Sequence, residues 1–222
     1  MKTRYWILAL LLFGLAGQAS AMTIFLDRAL SGGIVGGSVG GDPWGAVVGS
    51  FDGRVGGPAG ASLGNLYCAD ILSEIGLNET HEYDLFTTAH PDLNNVIPNG
   101  LDRGNGGVAA WIYETYGRGA TTGDLAGSVQ VALWEVLYDT DYNLATGNFL
   151  VDSYGFGFDD DDYAVAQSIV TASHGRSSLT GYYRAVDADD QDLIGPVPEP
   201  ASLLLLGVGL VGVAVAARRR RV

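Results

Sequence analysis

After Lys2 the chain contains no lysine, and its 222 residues include one cysteine, three histidines and two methionines. A single cysteine excludes an internal disulfide framework. The scattered histidines and that cysteine make no zinc spacing. No Lys-Ser/Thr pair follows the glycines of residues 31–64, which excludes a phosphate-binding loop. Positive charge is also scarce. Of the 25 acids only Glu199 lies outside residues 22–196, leaving 24 against six arginines, a net of −18 compared with −13 for the whole chain. Such a surface repels nucleic-acid phosphates, so no nucleic-acid partner is expected, and it favours solubility. Without lysine, a reactive acyl group in this stretch would meet no ε-amine of its own.

The two ends carry clear patterns. Lys2 and Arg4 precede the apolar run Trp6–Ala16, and Ala19-Ser20-Ala21 offers a small-residue cleavage site. This reads as an export signal over residues 1–21, with the mature chain starting at Met22. The competing reading, an uncleaved anchor, suffers from the shortness of the run. At the other end, Val197-Pro198-Glu199-Pro200 is followed by an apolar run over 201–217 and by Arg218-Arg219-Arg220-Arg221. That run can just cross a bilayer, with its basic end kept cytoplasmic. The three-part tail over 197–222 resembles the PEP-CTERM sorting signal. The resemblance implies recognition by an exosortase and cleavage near Pro198-Glu199-Pro200. It also implies a transient stay in the inner membrane, then the cell envelope, surface or exterior. A plain single-pass anchor is the alternative.

An odd thiol in an exported chain calls for an explanation: burial, intermolecular pairing, catalysis or a cross-link. Two short motifs bear on it. Tyr67-Cys68-Ala69-Asp70 holds the cysteine, and Gln130-Val131-Ala132-Leu133-Trp134 lies early in an apolar segment of helical period. Together they resemble the thioester domains of bacterial surface adhesins, which carry a Tyr-Cys-x-Asp motif and a later Gln-x-Ala-aliphatic-Trp motif. Val129 departs from that family, which usually has Thr or a similar residue before the glutamine. The resemblance implies a thioester between Cys68 and Gln130, made by loss of ammonia. Tyr67, Leu133 and Trp134 would exclude water, and Asp70 would anchor the cysteine loop. A thiolate leaves far better than an amine or alkoxide, so a lysine of an amine-bearing surface protein or matrix component could take up the acyl group. The link could equally be only stabilising.

The fold expected is α+β, an antiparallel sheet or barrel with an inserted three-helix subdomain, over a thioester-type domain at 22–187. The glycine-rich residues 31–64 predict two or three short strands with an exposed glycine loop. Leu66–Ile71 and Tyr83–Thr88 read as strands. Asn105–Tyr116 predicts a helix with Val108, Trp111, Ile112 and Tyr116 on one face. Thr122 or Asp124 would cap a second helix, Leu125–Tyr138, with Leu125, Val129, Ala132, Leu133, Val136 and Leu137 inward. Spacing puts Trp134 beside Gln130 on one face. Asp159–Asp162 open a third helix that stops at His174-Gly175. Leu179–Val186 alternates like a strand, and residues 188–196 read as an acidic linker.

The function expected is covalent attachment of an exported surface protein, without turnover and hence not an enzyme. The alternative is a non-covalent component of a biofilm or extracellular matrix with a buried thiol. A cysteine hydrolase using His81 or His174 lacks any local signature. No cofactor is expected, although two acidic stretches leave room for calcium. Asp139-Thr140-Asp141-Tyr142-Asn143 opens like a calcium loop, but Leu144 occupies the glycine position and no acid stands at the twelfth. Asp159–Asp162 is the other stretch.

Overall fold

The computed structural model describes residues 20–87, 105–178, 182–186 and 191–196. The signal core, Pro198–Pro200 and the expected span at 201–217 lie outside them. No helix among the described residues is long and apolar enough to cross a membrane.

Among the described residues there are seven strands and three α-helices. A long hairpin comes first: β1 (Ser20–Val39) and β2 (Asp42–Val55), turning at Gly40-Gly41. Then come β3 (Ser62–Cys68) and β4 (Glu79–Thr87). Helix α1 (Gly106–Ile112) runs into a π-turn at Tyr113–Gly117, and α2 spans Gly123–Tyr138. Strand β5 (Phe149–Gly155), α3 (Asp160–Ser173), β6 (Tyr182–Val186) and β7 (Leu193–Pro196) complete the domain. All pairings are antiparallel. The order β2-β3-β7-β6-β4-β1 closes on itself because β1 also pairs with β2, and β5 joins the far half of β1. Closure pairs both sides of β3, β4, β6 and β7, while β5 keeps an open edge. Among the described residues the α+β expectation stands as an antiparallel sheet with three helices, but β5 lies between α2 and α3, so the helices are not one uninterrupted insert.

The glycine-rich stretch covers parts of three strands, as expected in number, but β1 and β2 are long and form one continuous hairpin, bulged between Leu26 and Ala29 and again between Ser31 and Ile34. The second bulge lies under α2. A Cβ on Gly32 would sit 2.5 Å from the Gly123 carbonyl oxygen and 2.6 Å from the Gly127 Cα. Glycines here let helix backbone meet strand backbone, which turn propensity alone does not reveal.

Helix α2 begins as expected, with Thr122 Oγ1 accepting from the Leu125 N–H at 3.4 Å. It is not one-sided. Every residue from Ala126 to Tyr138 is buried, while Leu125 is only half-buried. The helix packs against β1, β2 and α3, so it lacks the polar face of a surface helix. Helix α3 starts at Asp160 behind a full capping box in which Asp159 accepts from Asp162 N–H and Asp162 accepts from Asp159 N–H.

The expected acidic linker is corrected. Asp192 is fully buried, and β7 lies between β3 and β6. A four-residue strand beside a run of acids carries no strand signal of its own. Its place comes from the two partners that complete the ring.

Candidate functional site

Cys68 is the last residue of β3, opposite Leu193 of β7. The Tyr67 side chain is fully buried beneath it; its hydroxyl donates to Gly117 O at 3.0 Å and its ring meets Tyr113 edge-on. Burial raises the Tyr67 phenol far above its ordinary range, with the nearby Ser50 hydroxyl opposing it. Past the cysteine, Ala69 N–H donates to Asp192 O at 2.7 Å. Asp70 is buried and holds the turn: it accepts from Leu72 N–H at 2.9 Å, from Tyr138 OH at 3.2 Å and from Ser73 OH.

Two glutamines meet Cys68, one on its backbone and one on its sulfur. From α2, Gln130 Oε1 accepts from Cys68 N–H and Gln130 Nε2 donates to Cys68 O, both at 2.8 Å. The carboxamide thus acts as a substitute strand partner for the cysteine backbone. The sulfur faces elsewhere. Cys68 Sγ lies 2.7 Å from Gln191 Oε1, and Gln191 Nε2 donates to Asp70 O. Gln191 sits two residues ahead of β7, on the segment read from sequence as linker. The expected closeness of Cys68 and Gln130 is therefore real, but both polar ends of Gln130 are engaged by backbone. The sulfur's side-chain neighbour is Gln191, 123 positions along the chain. Sequence reasoning missed Gln191 because nothing local distinguishes it. Its only signal was a glutamine followed by Asp-Leu-Ile among acids.

A cleft of about 630 Å3 opens onto this point, lined by Cys68, Gln130 and Gln191 together with Trp44, Trp134 and Glu74. Trp134 lines it as the helix spacing predicted, but Tyr67 and Leu133 do not; both are core residues. Ala132 is fully buried and also away from the cleft. The second wall comes from Trp44 on β2, edge-on to Trp134 at 5.6 Å and stacked on Phe149 at 5.3 Å. No short motif flags Trp44; the hairpin register delivers it. Neither indole N–H has a partner among the described residues.

Burial, then the nearby Asp70 charge, raises the Cys68 thiol well above its ordinary range. The sulfur is therefore a neutral thiol rather than a thiolate at neutral pH. Neither His81 nor His174 lines the cleft; His81 meets Gly76 O and the Tyr83 ring, and His174 meets the Tyr142 ring.

The tail is decided by comparison with known families. Residues 196–221 match the PEP-CTERM protein-sorting motif. The PEP-CTERM motif implies export, an exosortase as processing partner, a sorting step at the membrane and then the cell surface. The match begins at the last residue of β7, so the sorting motif follows the folded domain directly. No curated protein and no solved structure matched the chain.

Proposed function

We propose that the PEP-CTERM chain carries to the cell surface a domain built for one covalent coupling, with a thioester between Cys68 and Gln191. The observation that carries this is the 2.7 Å contact of Cys68 Sγ with Gln191 Oε1. The carbonyl bond is about 1.23 Å long, so the Gln191 Cδ lies within roughly 3.9 Å of the sulfur. That approaches the separation of a reacting pair held for attack. In the condensation, Sγ bonds to Cδ and the Cδ–Nε2 bond breaks. The thiol proton leaves with the nitrogen as ammonia. Gln130 fixes the cysteine backbone while this happens, and the Asp70 carbonyl orients the departing amide.

The product is an acyl group in a cleft walled by two indoles, which limit attack by water. A primary amine entering the cleft would bond to Cδ, and Cys68 would depart as a thiol, taking the amine's proton. The acidic surface and the Glu74 carboxylate in the cleft suit a cationic lysine side chain on a surface protein or matrix component. The chain spends its one bond and does not turn over.

Intact mass tests this directly. The exported chain should weigh less than its sequence by one ammonia, ~17 Da, as expected of an internal acyl transfer. Methylamine should add at Gln191, and Cys68→Ala should abolish both effects. Addition at Gln130 instead would return the link to the helix glutamine. A full-weight chain with one titratable thiol defeats the coupling. The burial and raised pKa of Cys68 favour a second reading in that event, a non-covalent matrix protein with an inert thiol.

A further inference from the structure

The C-terminal end of α2 gathers three acids with no base. Glu135 is in the last turn of the helix, Asp139 is its cap residue, and Asp141 is in the loop that follows. One carboxylate oxygen from each lies within 4.8 Å of the other two. A helix C-terminus carries partial negative charge and is the wrong place for carboxylates. None of the arginine ion pairs among the described residues involves them; Arg54 serves Asp27 and Asp52, and Arg118 serves Glu114.

Glu135 supplies an independent sign that something belongs between them. Its side chain is fully buried. Oε1 accepts from Asn143 N–H at 2.8 Å, but Oε2 is buried without a hydrogen-bond partner. A bare buried carboxylate oxygen is costly. The loop is shaped around the gap. Gly147 adopts φ +93°, and a Cβ there would lie 2.1 Å from Asp139 Oδ2 and 2.7 Å from Asp141 Oδ2.

We propose that Glu135, Asp139 and Asp141 bind one calcium ion that locks the loop between α2 and β5. Oxygen donors alone select a hard cation. Calcium gives up its water readily and accepts irregular sets of 6–8 oxygens, whereas magnesium keeps several waters and near-octahedral geometry. A site with one fully buried donor and one on an exposed loop residue suits calcium. The site is not the calcium-loop pattern of the sequence, because its deepest ligand comes from the preceding helix. The competing occupant is a proton. Burial chiefly, with Asp139 and Asp141, lifts the Glu135 carboxyl to about 8 against the pull of the Asn143 N–H.

The test is calorimetric titration of the chelator-stripped exported chain with calcium alone and with magnesium alone, paired with melting temperature. We expect one calcium per chain, weaker magnesium binding and a higher melting temperature with calcium. Glu135→Gln and Asp141→Asn should each weaken calcium at least about tenfold. Glu135→Gln should still melt cooperatively in chelator, which separates lost binding from lost folding. Asp160→Asn, at the other acidic run, should bind as the parent does. No heat and no shift at millimolar calcium would overturn the site in favour of the proton. Binding lost in Asp160→Asn but kept in Glu135→Gln would overturn it too.

Discussion

Methylamine offers a way to cut the proposed Cys68–Gln191 link without changing a residue. The link would close a loop across 123 positions. By the chain-entropy treatment used for disulfides, a loop of that length restricts the unfolded chain by about 5 kcal/mol. For a domain of this size 1 kcal/mol moves the melting temperature by about 2–4 °C, so the link corresponds to roughly 10–20 °C. The assay compares melting of the exported chain before and after methylamine, with mass followed on the same samples. The amine should restore the thiol, add its own mass at Gln191 and lower the melting temperature by that amount. Cys68→Ala should melt near the lower value and not respond. If the parent starts at full sequence mass, gains none and melts unchanged, the sulfur and carboxamide are only neighbours. If it gains mass but melts unchanged, the bond exists and the entropic argument is wrong.

Three further outcomes follow from the packing. Gln130→Ala leaves the N–H and C=O of Cys68 buried and unpaired, and should cost about 2–5 kcal/mol in urea denaturation. Gly32→Ala drives a methyl into the backbone of α2 and should destabilise by about 1–3 kcal/mol or more, read by thermal melting. Asp162→Asn keeps an acceptor for the Asp159 N–H while removing a carboxyl whose pKa is raised, by burial first and then by Asp159, Asp124 and Asp161. A carboxyl that holds its proton more tightly when folded loses stability as pH rises through the window above 3.8. The asparagine variant should therefore be the more stable at pH 7, by less than about 1 kcal/mol, with the advantage gone near pH 3 in paired melts.

The helices and the sorting tail were legible because each announces itself locally. Thr122 and Asp159 are capping residues followed by apolar periodicity, and the tail joins Pro-Glu-Pro, an apolar run and arginines. The hairpin was half legible. Its strands were expected from the apolar pieces between glycines, but glycines that serve helix contact look like glycines that serve turns. Trp44, Gln191 and β7 were not legible. Trp44 reaches the cleft through strand register, and Gln191 through a ring that closes only when the last strand docks. The motif pair brought Gln130 to Cys68, where its amide meets the backbone N–H and C=O; spacing along a helix locates a side chain without saying which group it will meet.

Where β7 ends has a mechanical consequence. The sorting motif starts at Pro196, so any tension from the membrane side enters the domain through a strand of four residues. Among the described residues it is flanked laterally by β3 and β6. Gln191 stands just upstream, so a covalent tie from there to Cys68 would arrest peeling once it had run the length of β7 and pass the load into β3. Capture of an amine would release that tie, so the domain would lose its arrest point when the partner is bound at Gln191.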